Sequence, residues 1–215
     1  MKTVIVLGTA RSGTSMVSGF LHHIGVDMNP DYNPSIQNPK GSFEDPTFIN
    51  ITTRMFLDYK KGDVNLTSKY RFEIQKIIRS RAKRSDLWGW KSALTHYVLG
   101  HFLLHVKNPH LVFVFRDPLY NVKSDMFHKK VNYGYKISFQ ESLKNVADSL
   151  TQLAKVADQY KNLPQFYTSF NDCREKPIEV VRDLCSFLDV NFSGEIKEKI
   201  EDFIVPNYHS YKADQ

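Results

Sequence analysis

Thr3-Val-Ile-Val-Leu-Gly-Thr-Ala-Arg-Ser-Gly-Thr-Ser15 decides the reading of this chain. Residues 4–7 are an apolar, β-branched run of the kind that forms a strand buried on both faces. Gly8 closes the run and Gly13 follows five residues later. From Ser15 onward, Met16, Val17, Phe20, Leu21 and Ile24 recur at helical spacing. Strand, GxxxxG and helix in that order make a phosphate-binding loop, whose backbone N–H groups at a helix N-terminus cradle an anion. In the ATP-binding form of this motif a lysine follows the second glycine. Here that place is Thr14, and the cation is Arg11, inside the loop. The ammonium that kinases and ATPases hold against the β- and γ-phosphates is missing. The pattern points to a phosphate-bearing donor other than an ordinary ATP.

Strand and helix signals alternate along the rest of the chain. Strands are expected near 4–7, 87–90, 111–115 and 165–168. Helices are expected from 15 to about 25, after Asp45-Pro46, over 69–84, 118–130 and 139–161, and near 176–189 and 193–203. Residues 26–42, rich in Pro, Asn, Asp and Gly, read as a loop. This order defines an α/β chain: a three-layer P-loop fold with a central parallel sheet flanked by helices on both faces. The 215 residues suit one domain, 1–215, with a sizeable core. Ligands of such sheets bind beyond the carboxyl ends of the strands. Arg11, Lys91 and Arg116 each follow an expected strand, so three cations share one edge.

Composition narrows the setting. With 41% hydrophobic and 24% charged residues, the chain reads as soluble and globular, and no apolar run approaches a membrane span. The first apolar run is short and leads straight into the glycine loop, unlike a signal peptide. Two cysteines, Cys173 and Cys185, are too few for a disulfide framework. Together these features favour a cytoplasmic protein with no membrane partner. The net charge of +6 fits an anionic ligand.

Four segments, in order, resemble the P-loop sulfotransferases, which transfer a sulfuryl group from 3′-phosphoadenosine 5′-phosphosulfate (PAPS). Thr9-Ala-Arg-Ser-Gly-Thr-Ser15 is similar to the family's 5′-phosphosulfate loop. Arg116-Asp-Pro-Leu-Tyr-Asn-Val-Lys-Ser124 is similar to its 3′-phosphate motif, an Arg after a strand and a Ser eight residues on. Phe170-Asn-Asp-Cys-Arg-Glu-Lys-Pro177 resembles its Y-E-D-L-x-x-x-P segment. Gly41-Ser-Phe-Glu-Asp45 and Trp88-Gly-Trp-Lys91 resemble segments common in bacterial members.

The resemblance implies a donor site made of Ala10, Arg11, Ser12, Gly13, Thr14 and Ser15 at the 5′-phosphate, Arg116 and Ser124 at the 3′-phosphate, and Phe170 at the adenine. It implies catalytic roles for Arg11 and Lys91, with no metal required, and a small-molecule or glycan acceptor offering a hydroxyl or an amine. Glu44 is the first candidate for general base. The family's His, two residues after the equivalent of Lys91, is replaced by Ala93, while Asp45 and His96 stand nearby. The family's C-terminal R-K-G-x-x-G closure is absent from 204–215, and 126–135, with Phe127, His128, Tyr133 and Tyr135, is a candidate lid and acceptor wall.

The basic run Lys69, Arg71, Lys76, Arg79, Arg81, Lys83 and Arg84 reads as a solvated helix face, with Phe72, Ile74, Ile77 and Ile78 packed inward. No nucleic-acid motif accompanies it, so no nucleic-acid partner is expected. Two alternatives stay open: a P-loop kinase of small metabolites, and a catalytically silent nucleotide-binding protein on the same fold.

Overall fold

The computed structural model describes residues 1–28 and 40–204. Four strands, β1 (Lys2–Gly8), β2 (Leu87–Lys91), β3 (Pro109–Phe115) and β4 (Gln165–Ser169), form a parallel sheet in the order β2-β1-β3-β4. β1 pairs with β2 through Val4↔Gly89 and with β3 through Val6↔Val112, and β3 pairs with β4 through Val112↔Phe166. The connections run both ways from β1, so its carboxyl end opens onto the place where the winding direction reverses.

Side chains alternate along each strand, and the two faces build separate cores. Val4, Val6, Val112 and Val114 face one core with Val17, Phe20, Val181, Leu184 and Ile200. These come from helices α1 (Thr14–His23), α8 (Pro177–Leu188) and α9 (Gly194–Phe203). Ile5, Leu7, Leu111, Phe113, Trp88 and Trp90 face the other core. That side is covered by α2 (Pro46–Lys60), α3 (Leu66–Ala82), α4 (Thr95–Leu103) and α6 (Phe139–Gln159). Phe48 stacks on Trp90 with ring centroids 4.4 Å apart. Helices α5 (Pro118–Tyr133) and α7 (Phe170–Glu175) begin directly after β3 and β4.

Local chemistry sets the helix starts. Asp45 accepts from the Thr47 N–H with Pro46 in the first turn, and Asp117 caps α5 through the N–H groups of Leu119 and Tyr120. Ser138 caps α6 and Ser193 caps α9 in the same way. The outer edge of β2 is closed by Asp27, whose N–H donates to Leu87 O and whose carbonyl accepts from the Gly89 N–H.

Most expected elements are present, with differences that have physical causes. α4 has no counterpart among the expected helices: its Gly100 and two histidines hide the periodicity, yet Val98, Leu99 and Phe102 are buried. Gly100 lets the Tyr160 hydroxyl approach its backbone. α7 is a single short helix in the stretch read only as a motif. Residues 126–133 are the second half of α5, which runs three residues past its expected end, so any lid function there would need a helix to move. In α3, Ile74, Ile77 and Ile78 pack inward as expected, but Phe72 is 80% exposed on the opposite side. The basic run is partly neutralised, since Lys69 pairs with Asp58, Arg81 with Asp45 and Arg84 with Asp27. Part of the expected loop over 26–42, and the C-terminal segment after 204, lie outside the described residues. Among the described residues no helix is long and apolar enough to cross a membrane.

Gly89 tests the tightness of the sheet. A Cβ at that position would press on the Val4 backbone carbonyl, which cannot swing aside. Gly89→Ala is expected to lower unfolding stability by about 1–3 kcal/mol, read as a drop in the urea midpoint at unchanged slope; an unchanged midpoint would show that β2 shifts freely.

Candidate functional site

The loop after β1 folds tightly because two residues take left-handed backbone conformations. Gly13, at the N-cap of α1, has φ 96°, and Arg11 has φ 68°, unusual for a residue with a side chain. The Ser12 N–H closes a turn on Thr9 O at 3.1 Å, and the Met16 N–H donates to Gly13 O at 3.0 Å. The first amides of α1 stand at the carboxyl end of the sheet, where an anion is favoured. Gly13 also has no room for a side chain: a Cβ would lie 2.6 Å from the Phe170 ring.

Strand β3 delivers the second group of residues. Arg116, one residue past its end, donates from Nη1 to Arg11 O at 3.2 Å, and its guanidinium stacks 4.3 Å from the centre of the Phe170 ring. Ser124 lies on α5 and is buried; its Oγ accepts from Arg11 Nε at 3.3 Å. Asn121, also buried, donates from Nδ2 to Thr9 Oγ1. Residues 117, 121 and 124 follow one stripe of α5, so the helix rests on the loop along that line.

Strand β2 supplies Lys91, its last residue and only 4% exposed. The Lys91 ammonium lies 2.8 Å from Glu44 Oε1 and 3.2 Å from Ser15 Oγ. Glu44 is aimed there by its neighbours. Phe43 is buried in the core on the α1 side, and Asp45 is buried, capping α2 and paired with Arg81 at 2.6 Å. Burial pushes the Lys91 pKa down and Arg11 adds to that push, while Glu44 opposes both. An ion pair this well enclosed is held by mutual need: removing the carboxylate would leave a buried, uncompensated ammonium.

Arg11, Ser12, Gly13, Thr14, Ser15, Lys91, Glu44, Arg116, Ser124 and Phe170 therefore converge on one edge of the sheet, joined by the contacts above. Ala10 is in the same loop but points its small side chain to solvent. Asp45 is turned away into its cap and ion pair. His96 is withdrawn too, buried in the α4–α6 contact with Nε2 2.9 Å from Ser149 Oγ. Sequence reasoning missed Asn121 and the Ser15–Lys91 contact. The spacing of 117, 121 and 124 on one helix contained the first; the second joins residues distant in sequence and left no signal.

Loop amides and three cations, Arg11, Lys91 and Arg116, thus meet at one edge of the sheet, an arrangement suited to an anion. The profile described as "Sulfotransferase domain" matches residues 1–213, and the chain belongs to that family. Among solved structures it is similar to the sulfotransferase domain from the curacin biosynthetic pathway, at 18% identity and TM-score 0.54, covering 96% of this chain and 81% of that one. It is similar to sulfotransferase STF9 from Mycobacterium avium, at 12% identity and TM-score 0.62, covering 94% and 67%. It also resembles mouse sulfotransferase SULT7A1 complexed with PAP, at 12% identity and TM-score 0.56, covering 94% and 64%. No curated protein sequence matches it.

His96 makes the α4–α6 contact sensitive to acid. Burial pushes its pKa down to about 4 from an ordinary 6.5, so the folded state holds it neutral while the unfolded chain protonates it. The stabilisation is complete above pH 6.5 and is lost as pH falls toward 4, on the order of 3 kcal/mol in all. Urea melts of wild type and His96→Gln across that window are expected to converge as pH falls.

Proposed function

We propose that this chain transfers a sulfuryl group from PAPS to a hydroxyl or amine of a small-molecule or glycan acceptor. The observation that carries the reading is the bridge from Arg11 to Ser124 and Arg116, which brings the loop after β1 and the first turns of α5 into one cationic surface. A nucleotide with phosphates at both 5′ and 3′ positions needs two anion subsites a short distance apart. The loop amides of residues 12–15 with Arg11 suit the 5′ end, and Arg116 with Ser124 suits the 3′-phosphate through a forked guanidinium and a hydroxyl. Phe170, already under Arg116 and against Gly13, offers a ring face for adenine.

In the transfer step the acceptor oxygen bonds to sulfur as the bond from sulfur to the bridging oxygen breaks. Negative charge then gathers on the departing 5′-phosphate. Arg11 and Lys91 meet that charge from positions fixed by their contacts with Ser124, Ser15 and Glu44. This reading gives side chains and loop amides the work of charge neutralisation. Glu44 is read as the group that keeps Lys91 charged and aimed. That use of the carboxylate fits its ion pair better than the role of proton acceptor expected from the sequence.

Calorimetric titration with 3′-phosphoadenosine 5′-phosphate (PAP) tests the donor. Micromolar or tighter binding is expected, with little for ATP and Mg²⁺; a preference for Mg-ATP would replace this reading with a kinase. Arg116→Ala is expected to weaken PAP binding by about 10–100-fold, the loss of one charge-assisted pair, and unchanged affinity would remove it from the 3′-phosphate site. Once an acceptor is in hand, Arg11→Ala is expected to lower kcat about 100–1000-fold, as for loss of a transition-state donor.

A further inference from the structure

An acceptor hydroxyl must lose its proton, and the carboxylate best placed by sequence is committed elsewhere. Glu44 is bound to Lys91, Asp45 to Arg81, and His96 is sealed against Ser149. Helix α5 offers another group. Asp117, Asn121, Ser124 and His128 succeed one another at spacings of four, three and four, a single stripe on the helix surface. The first three are already placed: Asp117 caps the helix, Asn121 holds Thr9, and Ser124 meets Arg11. His128 comes next, about 6 Å along the axis beyond Ser124.

Its surroundings confirm the direction of that stripe. His128 is half-buried, and the charges acting on its ring come from Arg11 in the loop and Glu44 before α2, besides Asp125 and Lys129 on its own helix. Charges from the loop after β1 and from the segment before α2 therefore both reach the imidazole. Two neighbours fix the ring: the Asn132 amide nitrogen is 2.7 Å from Nδ1, and Tyr133 packs edge-on at 5.6 Å. A base must be oriented as well as near.

We propose that His128 accepts the proton of the acceptor hydroxyl during sulfuryl transfer, an assignment that rests on the function proposed above. As the acceptor O–S bond forms and the bond from sulfur to the bridging oxygen breaks, the hydroxyl proton passes to a ring nitrogen of His128. PAP departs with the electron pair of the broken bond, and the imidazolium then returns its proton to solvent. The protonation state suits the task. Burial, then Arg11 and Lys129, lower the imidazole pKa, and the opposing pull of Asp125 and Glu44 does not restore it. The ring is neutral at pH 7, and with the Asn132 amide turned so that its oxygen accepts from Nδ1–H, Nε2 is the nitrogen that takes the proton.

The test compares wild type, His128→Gln and Glu44→Gln, with radiolabelled PAPS as donor and 2-naphthol or water as acceptor, between pH 5.5 and 9. PAP affinity is measured for each protein. His128→Gln is expected to lose about 100-fold or more in turnover with PAP affinity within two-fold of wild type. The fall in wild-type rate on the acid side, where the base becomes protonated, should vanish in His128→Gln and persist in Glu44→Gln. Turnover within three-fold of wild type, or an acid limb that disappears with Glu44→Gln instead, would overturn the assignment. If wild type acts on neither acceptor, histidine-selective ¹⁵N NMR decides. PAP at saturation must shift the His128 ring nitrogens, and an unmoved imidazole in a protein with PAP bound would place it outside the site. Failure of wild type to bind PAP would instead refute the donor, a result distinct from any of these.

Discussion

Strand β1 has neighbours on both edges and a helical layer on both faces, and the site depends on that enclosure. Its backbone groups are spent on β2 and β3, and Val4 to Leu7 are wholly buried. The chain leaving Gly8 must therefore turn sharply in the crevice between strands, and Gly8 itself is hemmed in by Ser12, Thr14 and the Val114 carbonyl. The left-handed conformation at Arg11 follows from the same confinement. A strained conformation at a residue with a side chain costs about 1–3 kcal/mol and persists only where the surroundings enforce it. Here the enforcing contacts are Asn121 on Thr9, Arg116 on the Arg11 carbonyl, and Phe170 on Gly13.

Three cations at one edge repel each other, and the arrangement shows how the fold tolerates them. Lys91 is neutralised by Glu44. Arg116 spreads its charge over the Phe170 ring, a favourable cation–π contact. Arg11 shares a hydroxyl with α5. The site is thus organised before a ligand arrives, which lowers the reorganisation needed on binding.

The sequence revealed what is carried by contiguous pattern. Residues 3–15 announced strand, loop and helix in turn, and Arg116 with Ser124 stood out by a spacing of eight residues from a strand end to a helix face. The helix-start signals at Asp45-Pro46 and Asp117-Pro118 were equally plain, since capping is chemistry of adjacent residues. What escaped was set by tertiary contact. α4 has weak periodicity and is held by its buried Leu99 and Phe102, and Phe72 faces solvent although its neighbours in sequence pack inward. The engagement of Glu44 with Lys91 joins residues 47 apart, so a carboxylate that looks available in sequence is already partnered in space. His128 shows the converse: a residue read only as part of a candidate lid stands, on α5, one turn from Ser124.

The order of the sheet also sets a timetable. β1 leaves the ribosome before its partners, residues 87–91 and 109–115. At ordinary elongation rates the gap is about 5–20 s, during which an apolar strand has neither edge paired. Pairings of this sequence separation form slowly and leave the chain open to association with other chains. The phosphate loop, whose shape depends on β3 and α5, can be assembled only after that wait. A nascent chain of this fold is therefore most vulnerable while the residues between β1 and β3 are being made.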